Sequence, residues 1–226
     1  MKALFVNGGP RKNWSTVKML ESAMKGSAAA GAETELAHLF DFNFKGCRSC
    51  FACKLKNAQT NGVCAVRDEL RPVLEKARAA DVIVVGSPVY LSNPTGAAKD
   101  FLERLVYPVL SYNPKPDPAT GAMRLGILDK AVPTAMIYTL GNTKENTDAL
   151  HYPIILGEYV RFLEMVFGPS EMLCAYFTYQ FADYSRYDVM EGIEPRRAKQ
   201  RDEQFPKDLQ SAYDLGVRLV NNAKKQ

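Results

Sequence analysis

Cys47, Cys50 and Cys53 are spaced C-x2-C-x2-C, and Cys64 follows after ten further residues. Such tight spacing sets three thiolates around one [4Fe–4S] cube. Cys64 can return as a fourth ligand, because closure entropy grows slowly with loop length. The same four thiols suit a tetrahedral structural zinc site. Cys50 and Cys53 alone could cycle through a disulfide. The plain alternative is a set of thiols that merely pack. The residues by themselves leave all four open. The fifth cysteine, Cys174, lies in an apolar run and reads as core.

A second chemical stretch is the N-terminal MKALFVNGGPRKNWSTVKML. Residues 2–6 are apolar and strand-like, Asn7 to Pro10 break them, and Ser15 and Thr16 suit the opening of a helix. A strand feeding a helix N-terminus through a tight loop is an anion site, because unpaired N–H groups and the helix dipole both face the ligand. Arg11, Lys12, Asn13, Ser15 and Thr16 add donors there. The loop lacks the Gly-Lys-Ser/Thr of a P-loop and the G-x-G-x-x-G of a dinucleotide fold.

A third stretch, SPVYLSNPT at 87–95, suits a flat ring with polar edges. Pro88 and Pro94 restrict the backbone, Tyr90 can stack, and Ser92, Asn93 and backbone groups can meet the ring edge. Gly141 and Asn142 could close the other side. His38 and His151 are not spaced as ligands, and Glu33 and Glu35 read as a solvated strand edge.

These stretches need elements to hold them. Residues 34–39, 131–140 and 171–179 read as further strands, and DVIVVG at 81–86 is the clearest buried parallel strand. Helical spacing recurs at Leu70 to Ala77, Ala98 to Leu105, Ile154 to Val166 and Leu209 to Val220. Strand and helix alternate five times without an internal repeat or linker. That alternation predicts one domain over 1–226, an open, doubly wound five-stranded parallel sheet with helices on both faces. The cysteine-rich loop at 41–64 and the proline-rich 107–130 and irregular 181–206 interrupt the pattern as insertions. Ligands of such sheets sit beyond the strands' carboxyl ends, where the loops after the first, third and fourth strands should converge.

With 226 residues, 46% hydrophobic and 24% charged, the composition is globular, and no apolar run reaches membrane-span length. The net charge of +4 is scattered apart from the basic run at 196–201, which does not indicate nucleic acid. The N-terminus shows no signal-peptide pattern, so a cytoplasmic protein is expected. Clustered cysteines in that reduced compartment point to metal, cluster or thiol chemistry rather than a disulfide framework.

Four segments also carry a resemblance. NGGPRKNWST resembles GSPRKxGNT, and GSPVYLSNPTGAAKDFLERL resembles GSPVYWGNPTGxxKxFLDR, both of the NADPH-dependent FMN reductase family in the flavodoxin-like superfamily. GCRSCFACK with GVCAVRDEL is similar to the cysteine segment of the family's iron–sulfur flavoprotein branch, and FPKDLQSAYDLG to its terminal helix. The resemblance implies a flavodoxin-like fold of strand order 2-1-3-4-5 that binds FMN noncovalently. By position it assigns the phosphate to Arg11, Ser15 and Thr16 with backbone around Gly9 and Pro10. It assigns the isoalloxazine to Pro88, Val89, Tyr90, Asn93 and Pro94, with Gly141 beside them. Gly9 stands where the family has Ser, and Trp14-Ser15 where it has Gly-Asn.

The function so implied is an FMN-dependent oxidoreductase. Electrons would pass from NAD(P)H or reduced ferredoxin to a quinone, a nitro compound or free flavin, with a [4Fe–4S] cluster as a further carrier. A homodimer or homotetramer is also implied. Two rivals remain: a flavodoxin-type electron carrier without turnover of its own, and a zinc-stapled sensor or interaction domain.

Overall fold

The structure is a computed structural model that describes residues 1–58, 60–116, 121 and 123–225. Its strands are β1 (Lys2–Asn7), β2 (Glu33–His38), β3 (Val82–Tyr90), β4 (Asn93–Pro94), β5 (Leu110–Pro116), β6 (Met123–Gly126), β7 (Thr134–Thr139) and β8 (Ser170–Ala175). Its helices are α1 (Ser15–Ala29), α2 (Arg71–Ala79), α3 (Gly96–Val109), α4 (Lys144–Ala149), α5 (Tyr152–Phe167), α6 (Ile193–Lys199) and α7 (Phe205–Ala223).

The main sheet runs β2-β1-β3-β7-β8, all parallel. Phe5 pairs with Val84, and Val84 with Ala135, so the most apolar runs lie in the middle. Successive strand residues face opposite sides. Leu4, Val6, Ile83, Val85, Met136 and Tyr138 pack one way, with α2, α3 and α5. Ala3, Phe5, Val82, Val84, Ala135 and Ile137 pack the other way, with α1 and α7. Sealing Phe5 or Ile83 contributes about 1.5–3 kcal/mol each. Gly26 and Gly216 let α1 and α7 touch: a Cβ on Gly26 would lie 1.9 Å from Tyr213 O, and one on Gly216 would lie 2.0 Å from Ala23 O.

The strand order matches 2-1-3-4-5 counted over the parallel strands, but the sheet is not purely parallel. Residues 87–95 are not a simple loop: β3 continues to Tyr90, turns at Leu91 and Ser92, and returns antiparallel as β4. Both turn residues have positive φ, 48° and 66°, the handedness a two-residue hairpin needs. Within the expected 107–130 insertion, α3 runs on to Val109 and β5 pairs with β6 as a separate hairpin. Residues 117–120 and 122 of that stretch lie outside the described residues. The fifth parallel strand stops at Ala175 rather than Tyr179. The expected irregular stretch 181–206 becomes α6 and a π-helical turn, Gln200–Gln204, that leads into α7. Its many Arg, Lys and Glu residues hide a helix by leaving it little apolar stripe. No helix among the described residues is long and apolar enough to cross a membrane.

Candidate functional site

The break after β1 is built by Asn7, which is wholly buried. Its Oδ1 accepts from Gly9 N and its Nδ2 donates to Gly9 O, each at 2.9 Å, which folds the loop back on itself. Gly8 N donates to Gly86 O at 2.7 Å, and a Cβ on Gly8 would lie 2.6 Å from Ala98 Cβ. The first loop therefore lies directly against the β3–α3 region. Thr95 ties the two: its hydroxyl donates to Gly8 O at 2.5 Å and accepts from Ala98 N at 3.2 Å, capping α3. Ser87 Oγ in turn accepts from Thr95 N at 3.0 Å.

The loops line a shallow, solvent-open cleft. Gly9, Pro10, Arg11, Ser15, Thr16, Pro88, Val89, Tyr90 and Gly141 all line it. Of the expected contact residues, Asn93 and Pro94 do not. Pro94 is buried in the hairpin against Val89, and Asn93 faces α5, where its Oδ1 accepts from Tyr159 OH at 3.0 Å. The hairpin turn explains this, because it carries the chain away from the cleft after Tyr90.

Trp14 is the N-cap of α1, and it makes no side-chain cap hydrogen bond. The first turn of α1 holds no acidic residue. Its N–H groups and positive dipole end thus open on the cleft, with the Arg11 guanidinium beside them. Arg11 lies 4.5 Å over the Trp14 ring and donates to Gln180 O at 2.6 Å. A Cβ on Gly9 would lie 3.1 Å from Pro88 Cδ, so glycine keeps the cradle's floor open. The donor set fits a phosphate, and the wall of Pro88, Val89 and the half-exposed Tyr90 fits a flat ring.

Sequence reasoning missed the far wall: Trp14, Thr139, Thr178, Tyr179 and Gln180. Trp14 Nε1 donates to Tyr179 O at 2.8 Å, and Thr16 and Thr139 hydroxyls meet at 2.7 Å. Behind the wall sits Arg197, only 7% exposed. It donates to Thr178 O at 2.6 Å and Gly141 O at 2.8 Å and lies 4.3 Å over the Phe177 ring. Burial pushes its guanidinium below the ordinary arginine value. The basic run at 196–201 was the available signal, but charge patterning alone places such a run in solvent.

The four clustered cysteines converge elsewhere. Cys47, Cys50, Cys53 and Cys64 line one small cavity beside α3. Positive φ at Ser49 and Phe51, 52° each, curls the C-x2-C-x2-C turn. Glu103 accepts from Cys47 N at 3.1 Å, and Lys54 donates to Tyr107 O and Leu110 O, capping the end of α3. The Ala52 N–H, helped by Arg48, lowers the Cys50 thiol, whereas burial raises Cys53. No three His, Cys, Asp or Glu side chains among the described residues are set to hold a single metal ion. All four thiols border that one cavity, the donor chemistry of a thiolate-ligated group. Cys174 stands apart on β8, its thiol pushed up to about 11 by burial.

An open parallel sheet whose loops close on an anion-ready, aromatic-walled cleft defines a flavodoxin-like protein. Solved structures agree on that fold. The NAD(P)H:quinone oxidoreductase from Methanothermobacter marburgensis superposes with a TM-score of 0.65 at 16% identity, over 97% of this chain and 98% of that one. An FMN-dependent NADH-azoreductase from Bacillus anthracis in complex with FMN gives 0.56 at 15% identity, over 100% and 99%. In sequence, an iron–sulfur flavoprotein of Archaeoglobus fulgidus is 31% identical over 173 residues, 70% of this chain and 78% of the relative. The NADPH-dependent FMN reductase family model matches residues 1–126. The chain belongs to that family of flavin-dependent oxidoreductases.

Proposed function

We propose that the cleft binds FMN and that the protein passes electrons from NAD(P)H or a reduced carrier such as ferredoxin to a small acceptor. A quinone, a nitro compound or free flavin are the acceptor classes. The observation that carries this is the uncapped α1 N-terminus opening on a cleft walled by Pro88, Val89 and Tyr90. FMN, when bound, supplies the redox chemistry. Arg11, Ser15, Thr16 and the α1 N–H groups hold the phosphate, while the Asn7–Gly9 and Thr95–Gly8 bonds fix the cradle. Arg197 holds the Gly141 and Thr178 backbones at one spacing, which keeps the far wall in place. Tyr90 is 49% exposed and Leu91, at the hairpin tip, is 96% exposed, leaving that rim open to an acceptor.

Cys47, Cys50, Cys53 and Cys64 would hold a [4Fe–4S] cluster, a one-electron exit. The shared cavity supports it, as does the similarity to an iron–sulfur flavoprotein. A homo-oligomer is supported by the apolar groove between α3 and α5, where Ile154 is 67% exposed and Phe162 44%. A cytoplasmic setting suits five free thiols. Steady-state oxidation of NADH and NADPH with each acceptor class tests the proposal. Turnover by the flavin-loaded protein that depends on an added acceptor is expected. No turnover with any acceptor, with rapid electron exchange to a redox protein, would make this a carrier instead.

A further inference from the structure

Arg197, on α6, is a buried charge without a counter-charge. Its Nη1 and Nη2 donate to two backbone carbonyls, Thr178 O and Gly141 O, and its Nε meets no partner among the described residues. The ionisable groups that act on it are the Tyr184 phenol and a second cation, Arg196; no carboxylate among the described residues does so. Arg196 and Arg197 lie 5.5 and 4.3 Å over the same Phe177 ring. Arginine stays protonated in proteins, so the charge persists despite its burial. Burying an ion without an opposite charge is costly, and buried charges are normally paired. A tie between two loops needs only donors, which a neutral side chain supplies without that cost.

The guanidinium is fixed directly behind the far wall of the flavin cleft. Gly141 and Thr178, the residues it bonds, both line the cleft. A Cβ on Gly141 would lie 3.9 Å from Arg197 Nη2. The two wall segments are also bonded to each other: Phe177 N donates to Asn142 O at 2.8 Å, and Thr178 N to Leu140 O at 2.9 Å. The charge therefore has one place, a single backbone layer behind the cleft surface. No acidic side chain among the described residues lines the cleft to offset it.

We propose that Arg197 is the counter-charge of the reduced flavin, a positioning residue whose charge makes the cleft hold reduced FMN more tightly than oxidised FMN. The proposal rests on the flavin reading of the cleft, with Gly141 beside the ring. Hydride transfer from NAD(P)H releases NAD(P)+ and leaves the isoalloxazine with one negative charge, while the flavin phosphate is unchanged. A phosphate contact such as Arg11 therefore favours both redox states alike. A cation behind the ring favours the reduced state, one of the ways a protein tunes a flavin. Burial strengthens that preference, because water and salt screen the charge little there.

The single tryptophan, Trp14, lines the cleft and reports binding in both redox states. Apoprotein is titrated anaerobically with oxidised FMN and with dithionite-reduced FMN, following Trp14 fluorescence. The wild-type chain should bind reduced FMN about tenfold or more tighter, which sets the bound two-electron potential about 30 mV or more above that of free FMN. Arg197→Gln keeps an amide donor but no charge, and should bring the two affinities to within about threefold of each other. Arg197→Lys keeps the charge but cannot span both carbonyls, and should retain the preference for reduced FMN even where both affinities fall. The proposal is overturned if the wild-type chain binds both states equally or favours the oxidised one, a comparison that needs no variant to fold. It is also overturned if Arg197→Gln weakens both states together and leaves the preference intact, which makes Arg197 a backbone tie alone. A preference lost equally in Arg197→Lys assigns it to wall geometry and overturns the proposal too. Failure of FMN to bind in either state would instead fail the flavin assignment itself, and the proposal falls with it.

Discussion

Arg104 meets Asp68 through both terminal nitrogens, Nη1 donating to Oδ2 at 2.5 Å and Nη2 to Oδ1 at 2.9 Å. The same guanidinium donates to Lys45 O at 3.0 Å and Val66 O at 3.3 Å, two residues before Cys47 and two after Cys64. One side chain on α3 therefore clamps both ends of the cysteine loop. Arg104 is 1% exposed, so its charge depends on Asp68.

Asp68→Asn leaves that buried charge without its carboxylate. Removing one partner of a buried pair costs about 3–5 kcal/mol. Urea unfolding should show that loss, and the buried Cys64 thiol should react faster with a disulfide reagent as the loop ends loosen. Unchanged stability and thiol rates would mean the clamp is idle.

Thr95→Val removes the hydroxyl that bridges Gly8 and the α3 N-terminus. Losing the cap and the bond to Gly8 O should cost about 1–2 kcal/mol. FMN affinity should fall severalfold as the first loop shifts, and Thr95→Ser should restore both. Loss of stability with unchanged FMN affinity would confine Thr95 to helix capping.

Asp208 on α7 is buried, and its Oδ2 lacks a partner among the described residues. Burial raises its carboxyl above the ordinary aspartate value, against a lowering from the Gln204 amide that donates to Oδ1 at 2.9 Å. The folded state thus holds its proton to higher pH than the unfolded chain. Asp208's contribution is fully favourable below the ordinary aspartate pKa and is lost as pH rises through the raised value. Asp208→Asn should flatten that part of the stability–pH curve. Thermal unfolding of both proteins from pH 4 to 7 checks it, and parallel curves would contradict it.

The buried strands were legible because 81–86 and 2–6 have no polar face, and a run of that kind fits only a covered sheet. The β1–α1 loop was legible because Gly, Pro, Ser and Thr each have a local backbone reason to be there. The hairpin that sets Asn93 and Pro94 outside the cleft lining was not legible, because a Leu91–Ser92 turn with positive φ carries none of the Asn-Gly chemistry that announces a hairpin. Arg197 escaped notice because its burial comes from the 176–180 wall folding over α6, a tertiary fact without a local signal. The thiols announced a group to hold but not how the chain closes on it. Arg104, Glu103 and Lys54 supply that closure through contacts far apart in sequence.

The most direct test is a visible spectrum of anaerobically purified protein, with iron and acid-labile sulfide assayed on the same sample and FMN added to any colourless fraction. Resolved flavin bands with a broad brown shoulder and about four irons per chain, as the cube requires, are expected. Flavin bands without iron would keep the cleft assignment and remove the cluster. A colourless protein that takes up no FMN would contradict the central claim that the α1 N-terminus and the Pro88–Tyr90 wall form a flavin site.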